Sequence, residues 1–202
     1  MNFKENYTYH VYNRSNEQVF YTRENYLFFI QKIRNHILPY ADILAYCLMP
    51  NHFHLLINAK KEAEEFVNTK NMIYTQALAK SIGLMLSSYT QAINKQQKRK
   101  GSLFAHQTKA KQLNFRKGEY AFNCFFYIHQ NPLVAGLVKK IEDWEFSSFL
   151  DYIGERKGSL INKDLAFEIV KFDKENIYNQ AYITLKQESI IDLYEKEPTL
   201  LL

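Results

Sequence analysis

The chain is poor in the residues that cross-link or punctuate a fold. Its 202 residues include two cysteines, four prolines, six glycines and one tryptophan. Two cysteines cannot build the disulfide framework of a small secreted domain. Cys47 and Cys124 fall in a predicted strand and a predicted helix, which fits two buried thiols in a cytosolic protein. No low-complexity linker and no internal repeat interrupts the chain. No apolar run reaches the roughly 20 residues of a membrane-spanning helix. The first residues, Met1-Asn2-Phe3-Lys4-Glu5-Asn6, lack the pattern of a signal peptide. The expectation is a cytoplasmic protein with no membrane partner.

What is present is an ordinary apolar content of 47% and a net charge of +5. The length suits one domain with an appendage, long enough to bury a real core. The charge is unevenly spread. Residues 1–150 carry 19 Lys and Arg against 11 Asp and Glu, while residues 151–202 carry 7 against 10. Basic clusters occur at Lys95, Lys98, Arg99 and Lys100, at Lys109 and Lys111, and at Arg116 and Lys117. Such clusters attract a polyphosphate backbone without reading its sequence. Each alone reads first as a solvated helix face. Fifteen Tyr and fifteen Phe offer stacking surfaces for unpaired bases, although most should be core.

Two constellations carry chemistry. The first is Tyr46-Cys47-Leu48-Met49-Pro50-Asn51-His52-Phe53-His54-Leu55-Leu56-Ile57. Alternate residues of a strand share a face, so His52 and His54 project together and Phe53 turns away. Paired neutral imidazoles are good ligands for a divalent metal. The triplet alone is also consistent with two half-exposed strand histidines. The second is Tyr120-Ala121-Phe122-Asn123-Cys124-Phe125-Phe126-Tyr127-Ile128-His129-Gln130-Asn131-Pro132. It reads as a helix with Gly118 and Glu119 near its start and Pro132 at its end. Tyr127 and Asn131, four apart, share a helix face. A core tyrosine with a capping asparagine would look the same. His129 and Gln130 lie off that face, and His129 is expected at the surface or in a secondary role.

The remaining pattern is α+β. Tyr7 to Tyr12 and Ile43 to Met49 read as strands, and Arg23 to Leu38 as a helix before Pro39. Pro50-Asn51 is a tight turn into the histidine strand. A long helix is expected over most of Met72 to Gln97, broken at Lys100-Gly101-Ser102, with a short strand near Lys109 to Leu113. This order matches a ferredoxin-like antiparallel sheet with helices packed on one face. The first strand then lies beside the third, bringing His10, Tyr12 and Arg14 near the paired histidines. Helices are also expected at Asp164 to Phe172, Glu175 to Leu185 and Lys186 to Glu195, with a loose end from Pro198 to Leu202. Residues 1–154 are thus expected to form the main domain, and residues 155–202 a C-terminal helical appendage.

Several blocks, in order, resemble one family. They are His10-Val11-Tyr12-Asn13-Arg14, Ala45 through Ile57, Gly101-Ser102-Leu103-Phe104, Tyr127 through Val138, and Trp144-Glu145-Phe146-Ser147-Ser148. From about Tyr9 to Gly154 the chain resembles the REP-associated tyrosine transposases, a branch of the single-tyrosine HUH transposases that act on single-stranded DNA. The resemblance implies that Tyr127 is a nucleophile forming a 5′-phosphotyrosine bond and freeing a 3′-hydroxyl. It implies that His52, His54 and Asn131 hold Mg2+ or Mn2+. The implied partner is single-stranded DNA, often beside an imperfect hairpin, handled by a monomer or homodimer in the bacterial cytoplasm, associated with the nucleoid. The reaction needs no nucleotide cofactor, because the covalent bond conserves the energy. His10, Tyr12 and Arg14 are expected either to contact DNA or to support the metal ligands, and DNA contacts are expected from Lys98, Arg99, Lys100, Lys109 and Lys111.

The pattern has departures. Relatives carry a Gly-Arg pair where this chain has His106-Gln107. They carry Asn-Pro-Val-Arg-Ala-Gly where it reads Asn131-Pro132-Leu133-Val134-Ala135-Gly136. Both changes delete an arginine. The slightly acidic tail also sits poorly with the target-DNA role of helical tails in the family. Two other functions stay open: a hairpin-DNA-binding protein without cleavage, and a metal-dependent phosphodiesterase that uses water. The latter usually needs more carboxylates than lie near the paired histidines.

Overall fold

Four segments pair into one antiparallel sheet. In the computed structural model, which describes residues 1–69, 73–114 and 119–183, they are β1 (Thr8–Arg14), β2 (Ala41–Met49), β3 (His52–Ala59) and β6 (Lys109–Gln112). The spatial order is β2-β3-β1-β6, the ferredoxin-like arrangement with the first strand beside the third. A second sheet pairs β4 (Phe66–Asn68) with β5 (Tyr74–Gln76). The main helices are α1 (Arg23–His36), α2 (Ala77–Gln96) and α3 (Glu119–Val134). Shorter ones follow: α4 (Phe149–Tyr152), α5 (Lys163–Val170) and α6 (Ile177–Ile183). Arg116, Lys117, Met72, Gly118, the helix expected over Lys186 to Glu195 and the end at Leu200-Leu201-Leu202 lie outside the described residues.

The α+β antiparallel fold is as expected, with one difference in detail. Helices α1 and α2 cover one face of the sheet. Their Phe29, Ile33, Leu78, Ile82 and Tyr89 pack with Val11, Phe53, Leu55 and Ile57. The tyrosine helix α3 covers the other face, where Cys124, Phe125 and Ile128 pack with Leu44, Ala45, Cys47 and Leu56. A sheet buried on both faces needs long apolar runs, and every residue of β3 is buried. Val170, Phe172, Ile177 and Ala181, in and beside α5 and α6, join the same apolar cluster as α3. Both cysteines are free and buried.

A β-bulge between Ile43 and Ala45 resets the alternation of β2. It leaves Tyr46 and Leu48 toward α1 and Cys47 and Met49 toward α3. The outer edge of β2 is not open to solvent. Leu48 N–H donates to Phe146 O at 2.9 Å, Ser148 N–H donates to Tyr46 O at 3.0 Å, and Trp144 Nε1 donates to Leu48 O at 3.0 Å. The Trp144–Ser148 block therefore caps an edge strand. Gly101-Ser102-Leu103-Phe104 is likewise structural in part. Phe104 packs against Phe29, Phe53 and Tyr89.

One element boundary corrects the sequence reading. Helix α2, Ala77–Gln96, fills most of its expected span, and Tyr74-Thr75-Gln76 ahead of it forms β5. An aromatic and a β-branched residue suit a strand there. Helix α3 runs past Pro132 to Val134. It closes with Leu137 N–H donating to Pro132 O at 2.9 Å and Gly136 N–H to Leu133 O at 3.0 Å. Gly136, at φ 70°, supplies the left-handed residue of this terminus, so the glycine and not the proline ends the helix.

Candidate active site

Strand pairing gathers the site. Tyr12 lies opposite His54, Arg14 opposite His52 and His10 opposite Leu56. On the other side of β1, Tyr12 lies opposite Lys109 and His10 opposite Lys111. Directly opposed residues share a face. One face of the sheet thus carries His10, Tyr12, Arg14, His52, His54, Lys109 and Lys111. Phe53 points to the other face and packs against Phe29, with ring centroids 5.2 Å apart.

Helix α3 lays Tyr127 over this face. Its ring centroid is 5.5 Å from that of His54 and 6.1 Å from that of His10. Tyr127 is buried, at 7% exposure. One turn on, Asn131 Nδ2 donates to the backbone Tyr127 O at 2.8 Å, which ties the amide to its own helix. The His52 and His54 rings are 4.9 Å apart and nearly perpendicular, at 87°. Each is held at Nδ1. His52 Nδ1 is 2.6 Å from Asn51 Oδ1, and His54 Nδ1 is 2.9 Å from His10 Nε2. His10 also stacks on Tyr12 at 4.8 Å.

Burial sets the charge state of the rings. Burial, with Lys111 opposite, lowers His10 to about 3. Burial, then His10, His52 and Arg14, keeps His54 well below the usual imidazole value. Both rings are neutral near pH 7, the form of imidazole that binds metals. Among the described residues, no group of three or more His, Cys, Asp or Glu side chains could hold a metal ion. The donors here that suit a divalent ion are two imidazoles, each held at Nδ1, with the Asn131 amide as the further candidate. Imidazoles anchored in this way fit the usual mode of metal ligation.

Two grooves flank Arg14. One, of about 470 Å³, runs between Arg14, Asn16, Gln18, Asn51, His52 and Leu137. The other, of about 290 Å³, lies between Arg14-Ser15-Asn16-Glu17 and Ser102-Leu103-Phe104-Ala105. A third, of about 820 Å³, lies between α2 and the Gly101–Thr108 segment and is lined by none of the expected site residues.

Lys98, Arg99 and Lys100 are not brought to the histidine face. They follow α2, which packs on the opposite face of the sheet. The Arg99 guanidinium is taken up by Glu17, Asn94 Oδ1 at 3.1 Å and Ser102 O at 3.2 Å. His129 is a further correction. It is fully buried, not at the surface, and its Nε2 is 2.7 Å from Ser148 Oγ. The signal was available, because α3 is apolar around most of its circumference and such a helix is covered on several sides. Gln130 is also buried, and donates through Nε2 to Ala181 O. Asn51, the partner of His52, stood in the histidine motif but was read only as a turn residue.

No family model and no curated protein matches the chain. Among solved structures it is similar to a REP-associated tyrosine transposase bound to a REP hairpin, at 16% sequence identity and a TM-score of 0.55, over 80% of this chain and 92% of that one. The chain therefore has the fold of that transposase.

Proposed function

We propose that the chain is a DNA transposase, a single-stranded DNA endonuclease and strand transferase with Tyr127 as its nucleophile. The observation that carries this reading is the placement of Tyr127 on α3, 5.5 Å ring to ring from His54, over the face that holds both histidines. His52 and His54, with the Asn131 amide oxygen, would hold Mg2+ or Mn2+. Bound there, the ion would polarise the scissile phosphate and offset its negative charge.

Arg14, Lys109 and Lys111 bring positive charge to the same face and attract the phosphate backbone. The groove beside Arg14 and His52 would seat a flexible single strand next to the histidines. The Tyr127 oxygen attacks phosphorus, forms a 5′-phosphotyrosine bond and releases a 3′-hydroxyl. A 3′-hydroxyl returning to that bond rejoins DNA and regenerates the phenol. The substrate class is single-stranded DNA next to a hairpin, and the cellular process is DNA transposition or recombination.

The test is a denaturing gel of protein mixed with labelled single-stranded DNA from the flanks of its own gene, with Mg2+ or Mn2+. A covalent adduct is expected from the wild type and from neither Tyr127→Phe nor His52→Ala. Free cleaved ends without adduct, persisting in Tyr127→Phe, would establish a hydrolytic phosphodiesterase instead. Hairpin binding without cleavage would establish a binding protein.

A further inference from the structure

The contact between His10 and His54 fixes more than the position of two rings. A neutral imidazole has one N–H and one lone pair, on different nitrogens. One ring must donate across the 2.9 Å contact between His10 Nε2 and His54 Nδ1. If His10 donates, the His54 proton sits on Nε2 and that nitrogen cannot bind a metal. If His54 donates, its Nε2 carries the lone pair. The neighbouring histidine has the same device in a form that admits only one direction. Asn51 Oδ1, 2.6 Å from His52 Nδ1, is an acceptor, so His52 carries its proton on Nδ1 and its lone pair on Nε2.

We infer that His10 is a positioning residue that accepts the Nδ1–H of His54 through its own Nε2 and so presents the His54 Nε2 lone pair for metal ligation. This rests on the proposed role of His52 and His54 as ligands. Carboxylates and backbone carbonyls usually take this part beside metal-bound histidines. Here an imidazole from the adjacent strand does so. The site suits the task. His10 is fully buried and His54 nearly so, so bulk water does not compete for the hydrogen bond. Stacking on Tyr12 at 4.8 Å and the edge of Tyr127 at 6.1 Å hold the His10 ring plane. His10 must then carry its own proton on Nδ1, the less common tautomer of a free imidazole.

Two readouts on the full chain test this, neither of them activity. The first is a two-bond proton–nitrogen NMR spectrum of the wild type in saturating Mg2+. Protons on Nδ1 of both His10 and His54 are expected, and a proton on His10 Nε2 overturns the inference. The second is Mn2+ uptake followed by the loss of the free-ion paramagnetic resonance signal. His10→Leu should weaken Mn2+ binding about 10- to 100-fold, whereas His10→Gln, which keeps an acceptor, should stay near the wild type. Circular dichroism of each variant without metal separates folding from binding. Equal uptake by wild type and His10→Leu, lost in His52→Ala, overturns the role of His10 alone. No uptake by the wild type, or uptake unchanged in His52→Ala, overturns the ligand assignment and this inference with it.

Discussion

Ser148 shows what one buried hydroxyl can organise. Its Oγ accepts from Tyr46 N–H at 2.9 Å and lies 2.7 Å from His129 Nε2. One atom thus ties the edge strand, the Trp144–Ser148 cover and α3 together. Ser148→Ala leaves a buried N–H and a buried imidazole nitrogen without that oxygen, at a cost of about 1–3 kcal/mol. For a chain of this size each kcal/mol shifts the melting midpoint by about 2–4 °C. Thermal melting of Ser148→Ala should show a clear fall, and an unchanged midpoint would refute the role assigned to the hydroxyl. His52 and His54 were legible as a pair because strand alternation is a strict period of two. Their partners were less so. His10 joins His54 through the register of β1 on β3, and register is not written in either strand alone. The burial of His129 was legible in another way, since a helix as apolar all round as α3 is covered on several sides.

At the scale of elements, α6 is fastened near the end of α3 by one carboxylate. Glu142 accepts from Tyr178 Oη at 2.6 Å and from Tyr182 Oη at 2.6 Å. Partial burial raises its pKa, but the two phenols outweigh this and the net shift is downward. A depressed carboxylate pKa stabilises the folded state above the unfolded value and loses that contribution as pH falls through the folded value. The difference in melting temperature between wild type and Glu142→Gln should therefore be present at neutral pH and close below about pH 4, the ordinary carboxylate range. A difference independent of pH would show that the phenols do not depend on the charged form. The main strands and helices were readable within a few residues, because each carries its own period and stop signals. The β4–β5 pair was not. It is two strands of three residues each, too short for alternation to register. The end of α3 was misread because Pro132 is a strong stop signal, yet Gly136 closes the helix one turn later.

For the whole molecule, the charge excess of residues 1–150 was legible from composition, but its placement was not. Lys109 and Lys111 reach the histidine face through β6, whereas Lys98 and Lys100 are exposed beyond α2. Binding of single-stranded DNA should weaken with salt, and each lost phosphate contact should flatten the log–log slope by about 0.7. Lys109→Ala and Lys111→Ala should each show this flattening, and the double change Lys98→Ala with Lys100→Ala should not. The reverse pattern, read by fluorescence anisotropy across a salt series, would place the strand on the α2 side. The fold itself was legible because separate blocks recur in one order, and it agrees with the transposase structure over 80% of this chain.

The account turns on Tyr127 becoming covalently joined to DNA. Mass spectrometry of the protein after reaction with hairpin-bearing single-stranded DNA and exhaustive nuclease digestion reads this directly. A nucleotide phosphate retained on Tyr127, located by fragmentation of its peptide, is the predicted result. The same mass on Tyr120 or Tyr12, or cleaved DNA with every tyrosine unmodified, would contradict it.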